Sequence, residues 1–229
     1  MKLKTDTSLW LRRAGAATIL AAAQAGAATI ITADGTPWAD NTAISSVAGF
    51  GSNVTTTGNG YYAISPGLTG VIGTPDISLT FQDVGTGGQG WDQYTNWNGR
   101  GNVIQMESNG NTQTLTLTPT GSQAVVLSSA EFDEWAGGGS LSVNWTVTGA
   151  TSGTISSGTW SRTTGGRDLV NFAATGALGE ALTLSLTRTS GSSSYFAVDN
   201  LTFDQVPEAS SMLLGAAGLG ALAMRRRRN

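Results

Sequence analysis

The chain contains no cysteine and no histidine. Without cysteine there is no disulfide framework, no thiolate nucleophile and no thiolate metal site. Without histidine there is no Ser-His-Asp triad, no imidazole acid–base chemistry and no imidazole ligand for zinc. Any catalysis would fall to carboxylates, hydroxyls and arginine. Lysine is absent between Ala28 and Val206, where Arg100, Arg162, Arg167 and Arg188 are the only basic residues. Thirteen acidic residues share that stretch, so its net charge is −9, against −3 for the whole chain. Phosphate backbones need a basic stripe, and none exists, so nucleic-acid binding is excluded. Long apolar patterns of helical period are lacking too.

What is there is Gly, Ser, Thr and Asn, with short runs that alternate apolar and hydroxyl side chains. Ile77–Phe81, Thr114–Thr118, Leu141–Val147, Leu182–Thr187 and Phe196–Phe203 are the clearest. Period-two alternation turns one face inward and leaves a hydroxyl-bearing face to water. Further strands are expected at Thr29–Thr32, Tyr61–Ile64, Val103–Glu107, Ala124–Leu127, Gly153–Trp160 and Leu169–Phe172. Glycine-rich turns such as Gly85–Gly90 and Gly137–Gly139 separate them. Many short strands with turn punctuation predict an all-β fold, an antiparallel β-sandwich of the jelly-roll kind, over residues 28–205. The closing run Tyr195–Phe203 resembles the last strand of jelly-roll domains in sorted exported proteins and carbohydrate-binding modules.

The two ends read as addresses. Lys2, Lys4, Arg12 and Arg13 precede an apolar Ala14–Ala23, followed by small residues around Ala25-Gly26-Ala27. This is the grammar of a secretory signal peptide over residues 1–27, removed by signal peptidase after passage through the export translocon. At the other end, Val206-Pro207-Glu208-Ala209 is followed by an apolar segment, Met212–Met224, and then Arg225-Arg226-Arg227-Arg228. Thirteen apolar residues fall short of the roughly 20 of an ordinary span. Gly215, Gly218 and Gly220 nevertheless suit a lipid-embedded helix, and an arginine cluster stays cytoplasmic. The segment 212–224 is expected to form a single transmembrane helix.

Residues 206–229 resemble the PEP-CTERM sorting signal of Gram-negative bacteria, substrate of the membrane peptidase exosortase. Pro207 and Glu208 match the motif's first two positions, and Ala209 stands where the family has a second proline. The resemblance implies processing near Pro207-Glu208 after a transient stay in the inner membrane. It further implies delivery to the cell surface or to an extracellular polysaccharide matrix.

The body offers three candidate sites. Trp91, Asp92, Tyr94, Asn96, Trp97 and Arg100 mix aromatics with hydrogen-bonding groups in an expected loop, where rings could stack on sugars and polar groups could hold hydroxyls. The alternative is that those tryptophans plug the end of the sandwich. Asp199, beside Asn200, interrupts an apolar strand; it either contributes to a Ca2+ site or pairs with Arg188 or Arg167. Glu131, Asp133 and Glu134 could supply a glycosidase carboxylate, with Glu107 as a distant partner, or form a solvated acidic turn. The reading that follows is a non-enzymatic exported protein associated with exopolysaccharide, with a carbohydrate-binding module as the alternative and a carboxylate glycosidase behind it.

Overall fold

A computed structural model of the chain describes residues 29–32, 40, 42–43, 54–55, 61–63, 76–84, 90–99, 101–107, 112–119, 121–135, 139–191 and 195–206. Residues 1–27 and 207–229, the segment 212–224 among them, lie outside these residues, as does Arg100. Among the described residues no helix is long and apolar enough to cross a membrane.

Residues Ala27–Val206 make one compact unit of two sheets. The strands, in chain order, are β1 (Thr29–Thr32), β2 (Thr42–Ala43), β3 (Val54–Thr55), β4 (Tyr61–Ala63), β5 (Asp76–Val84), β6 (Trp91–Tyr94) and β7 (Val103–Glu107). They continue with β8 (Thr112–Pro119), β9 (Ala124–Glu134), β10 (Leu141–Gly149), β11 (Gly153–Arg162), β12 (Gly166–Thr175), β13 (Leu182–Gly191) and β14 (Tyr195–Val206). One sheet has eight strands, ordered β12-β9-β14-β7-β6-β2, with β1 on β14 and β4 on β1. The other has six, ordered β11-β10-β13-β8-β5-β3. Every pairing is antiparallel except β1 with β4.

The alternation read from the sequence accounts for the interior. In β10, Leu141, Val143, Trp145 and Val147 are buried, while Ser142, Asn144, Thr146 and Thr148 are not. β8 and β13 repeat the pattern with leucines inside and threonine or serine outside. Apolar side chains of both sheets meet in a single core. Phe132 of β9 meets Trp160 of β11 edge to face, and Trp145 of β10 meets Phe172 of β12. Trp91 of β6 packs on Phe81 of β5 and donates its indole N–H to the Thr114 carbonyl at 3.1 Å, tying one sheet to the other. Each such side chain contributes about 1.5–3 kcal/mol when buried, so this shared core holds the sheets together.

Two segments differ from the sequence expectation. Trp91–Tyr94 is a strand, not part of a loop, because Trp91 fills the core and the segment pairs with β7. Glu131–Glu134 is the end of the long strand β9, not an acidic turn. There the acidic side chains are held by partners that lie far away in sequence.

Candidate functional site

On the outer face of the eight-stranded sheet, two strands, β9 and β14, place acidic residues around one guanidinium from a third, β12. Arg167 of β12 donates from Nη1 to Glu131 Oε2 at 2.7 Å and to Asp199 Oδ2 at 3.3 Å, and from Nε to Asp133 Oδ2 at 3.2 Å. Asp133 and Asp199 are buried, whereas Arg167 and Glu131 remain partly exposed. Burial works against the Arg167 charge, but Asp199, Asp133 and Glu131 outweigh it and raise its pKa.

The register of β14 on β9 breaks between Asp199 and Thr202, and Asn200 adopts φ 48°. Asparagine tolerates this left-handed conformation better than most residues. Such a bulge re-aims side chains. Asn200 thereby reaches Glu131 Oε2 at 2.9 Å while its neighbour Asp199 meets Arg167. Two consecutive residues serve one network, where a regular strand would have sent them to opposite faces.

The candidate calcium ligand Asp199 is thus in contact with a guanidinium. Asp199 faces Arg167, one of the two ion-pair partners open to it in the sequence. Among the described residues no group of three or more acidic side chains is arranged to hold a metal ion. Glu131 and Asp133 converge on the same guanidinium from the same strand, and Glu107 lies on β7, opposite Tyr195.

The aromatic candidates separate. Trp91 belongs to the core, and Trp97 is fully buried under the turn at Trp97–Gly99. Trp97, Tyr94 and Trp135 contact one another edge to face and pack over Val103 and Ala197. Asn96 and Asn98, with φ of 57° and 50°, turn the chain so that Trp97 points back at the sheet. Thr95 anchors this turn on Asp40 through its N–H at 2.8 Å and its hydroxyl at 3.1 Å. The ring faces of Trp91 and Trp97 are thus covered and cannot stack on a sugar; Asp92 is buried beside them, and Tyr94 is half-buried.

A different place has a shallow, open depression. Ser161, Arg162, Thr163, Thr164 and Asp168 line a cleft of about 360 Å³ at the β11–β12 turn. Arg162 grips Asp168 through both ends of its guanidinium, Nε to Oδ2 at 2.6 Å and Nη2 to Oδ1 at 2.5 Å. The indole N–H of Trp160 donates to the same Oδ2 at 2.8 Å. Arg162 Nη2 also reaches the Arg167 carbonyl at 3.2 Å. The hydrogen bonds from Arg162, then those from Trp160, hold the Asp168 pKa below the usual carboxylate range. Asp168 is 41% exposed and Arg162 29% exposed, so this pair faces solvent where the Arg167 network is largely closed. The guanidinium lies so close over Gly166 that a side chain there would collide with it.

Of two further carboxylates, Glu134 stood among the glycosidase candidates and Glu180 escaped the sequence reading. Glu134 is fully buried and neither oxygen has a hydrogen-bond partner; desolvation raises its pKa, Arg162 opposing and Asp133 adding to the effect. Glu180 is the reverse case. It accepts from the N–H groups of Thr151, Ser152 and Ala177 at 2.5, 2.6 and 2.7 Å and from the Ser152 hydroxyl at 2.7 Å. These bonds, the Ala177 N–H foremost, lower its pKa to about 2. Nothing local in sequence announces Glu180 or the burial of Glu134. The one local signal of the cleft was Thr163-Thr164-Gly165-Gly166, a turn that sets Arg162 and Asp168 on consecutive strands of opposite sheets.

No known protein family matches the sequence, and no curated protein matches it either. Solved structures do overlap it. One is a carbohydrate-binding module, CBM36, in complex with calcium and xylotriose, at 11% identity over 56% of this chain and 98% of that one, with a TM-score of 0.33. Another is the CBM36-1 domain of a multidomain xylanase from the hindgut metagenome of Trinervitermes trinervoides, at 10% identity, 58% and 99% coverage and a TM-score of 0.33. A third is an arabinose-bound α-L-arabinofuranosidase, at 9% identity, 78% and 32% coverage and a TM-score of 0.38. Overlap this loose transfers no ligand and no residue role to this chain.

Proposed function

We propose that this chain is an exported, non-enzymatic protein of the cell surface or extracellular matrix of a Gram-negative bacterium, whose sandwich binds extracellular polysaccharide. The observation that carries the binding reading is the Arg162–Asp168 pair in its cleft. A carboxylate beside a guanidinium offers acceptor and donor together, which suits adjacent sugar hydroxyls. Trp160 and the backbone of Arg167 fix the pair in place, so little ordering is needed on binding.

Delivery rests on the sequence of residues 1–27 and 206–229. It involves export translocon and signal peptidase, a transient transmembrane helix over 212–224 in the inner membrane, and an exosortase-like peptidase acting near Val206-Pro207-Glu208-Ala209. The jelly-roll connectivity belongs to the same reading. A non-enzymatic role is supported by the engagement of two solvent-reaching carboxylates among the described residues. Glu131 is tied to Arg167 and Asn200, and Asp168 to Arg162 and Trp160.

The test is a glycan array on the full-length protein, with and without EDTA. Binding that survives EDTA and falls in Asp168→Asn is expected; an array with no signal removes the binding reading. Separately, replacing Arg225–Arg228 with glutamine should disperse the protein from the membrane fraction. Unchanged fractionation removes the delivery reading.

A further inference from the structure

The outer face of the six-stranded sheet is a ladder of neutral hydrogen-bonding groups. One row across five strands reads Thr154, Thr148, Thr183, Thr116, Thr80. The next reads Ser157, Thr146, Ser185, Thr114, Gln82. A third, confined to four strands, reads Thr159, Asn144, Thr187, Thr112. None of these side chains is buried and none is charged. Strands about 4.8 Å apart, with same-face residues about 6.8 Å apart along each strand, make this a two-dimensional array.

Threonine is common on the solvent side of strands, so abundance alone says little. Two observations go further. First, the array is internally fixed. Thr116 and Thr183 share a hydrogen bond of 3.0 Å, Thr112 and Thr187 one of 2.7 Å, and Ser142 and Ser161 one of 2.7 Å, while Thr159 donates to Asn144 at 2.7 Å. A hydroxyl held by a neighbour keeps spare donor or acceptor capacity in a set direction. Second, charge is segregated. A body of net charge −9 keeps these rows free of acidic groups. Its overall charge repels acidic polymers, and the neutral rows suit an uncharged one. The array also runs into the cleft, since Ser161 both pairs with Ser142 and lines it.

We propose that this face is a docking platform for a neutral, hydroxyl-rich polysaccharide, which crosses the rows and enters the cleft at Ser161. It rests on the polysaccharide-binding reading above and names the class of polymer. Single hydroxyl contacts exchange almost evenly with water. A monosaccharide therefore gains little from the rows, and a polymer gains by repetition.

The experiment is retention of the full-length protein, in mild detergent, on insoluble cellulose and curdlan as neutral glucans and on alginate gel as a uronate. The triple variant Thr146→Val, Thr148→Val, Thr183→Val removes hydroxyls while keeping shape and strand preference, and a thermal melt checks that it folds. Retention of the wild type on a neutral glucan, weakened about tenfold in the triple variant, is expected. Equal retention of the wild type and triple variant, with loss only in Asp168→Asn, overturns the platform and leaves the cleft standing. Stronger retention of the wild type on alginate than on either glucan overturns the neutral class. Retention of the wild type on none of the three polymers overturns the platform together with the binding reading beneath it.

Discussion

The eight-stranded sheet carries charge beside bulges in β12 and β14, whereas the six-stranded sheet carries hydroxyls and confines its two register shifts to the pairings of β10. Non-glycine residues of positive φ within strands, Ala173 and Asn200, both belong to the eight-stranded sheet, where they flank β9. By contrast, β5 and β8 pair through eight positions without a shift, and β8 and β13 through six. The comparison teaches that regular alternation suffices to build a neutral face. A face bearing buried carboxylates needs local irregularity to bring their counter-charges into reach.

The largest break in that comparison should come from Arg167→Ala. It removes the cation facing buried Asp133 and Asp199, and removing one member of such a set costs about 3 kcal/mol or more. Urea unfolding measures it, and a loss below about 1 kcal/mol would mean the network is decoration. On the other sheet the sensitive point is steric. A Cβ at Gly158 would lie 2.6 Å from the Trp145 ring, so Gly158→Val should cost about 2 kcal/mol by overpacking.

The two hidden carboxylates sharpen the contrast through pH. Glu180 clamps the turn between β10 and β11, and its lowered pKa means its stabilisation is present above the ordinary value of 4.5 and is lost as pH falls towards about 2. Glu180→Gln should therefore lower the melting temperature at pH 7 and flatten the acid limb between those values. Glu134 behaves oppositely. Its raised pKa means folding favours the neutral carboxyl, so stability falls as pH rises through the folded value. Glu134→Gln should raise the melting temperature at pH 7 and leave it unchanged at pH 4; a lowered value at pH 7 would show that the carboxylate has a use. The smallest effect belongs to the hydroxyl rows. Thr116→Val breaks the bond to Thr183 at a cost of at most about 1 kcal/mol, because both groups reach water.

These differences explain what the sequence could reveal. β5, β8, β10 and β13 were legible because alternation is a local property, and each of their expected runs lies inside the observed strand. β9 was legible only to Leu127, since Ser128–Glu134 reads as polar until its partners on β12 and β14 are known. Of the candidate sites, Asp199 was recognised as needing a partner, but whether Arg167 or Arg188 supplied it depended on register across two strands. Within the Trp91–Arg100 stretch, Trp91–Tyr94 was misjudged as loop because Trp91 meets partners from distant strands, while the turn at Trp97 packs its ring inward as the alternative had it. The Arg162–Asp168 cleft left only its turn as a trace.

The placement of β14 sets a timetable. It completes the eight-stranded sheet from within, pairing with β9 along one side and with β7 and β1 along the other. Yet among the described strands it is the last to be synthesised. Until Tyr195–Val206 emerges, β9 lacks its neighbour on one side, and β7 and β1 have no strand to join them to it. A nascent chain in that condition keeps the eight-stranded sheet divided, and the sheet becomes continuous only when its final strand is free.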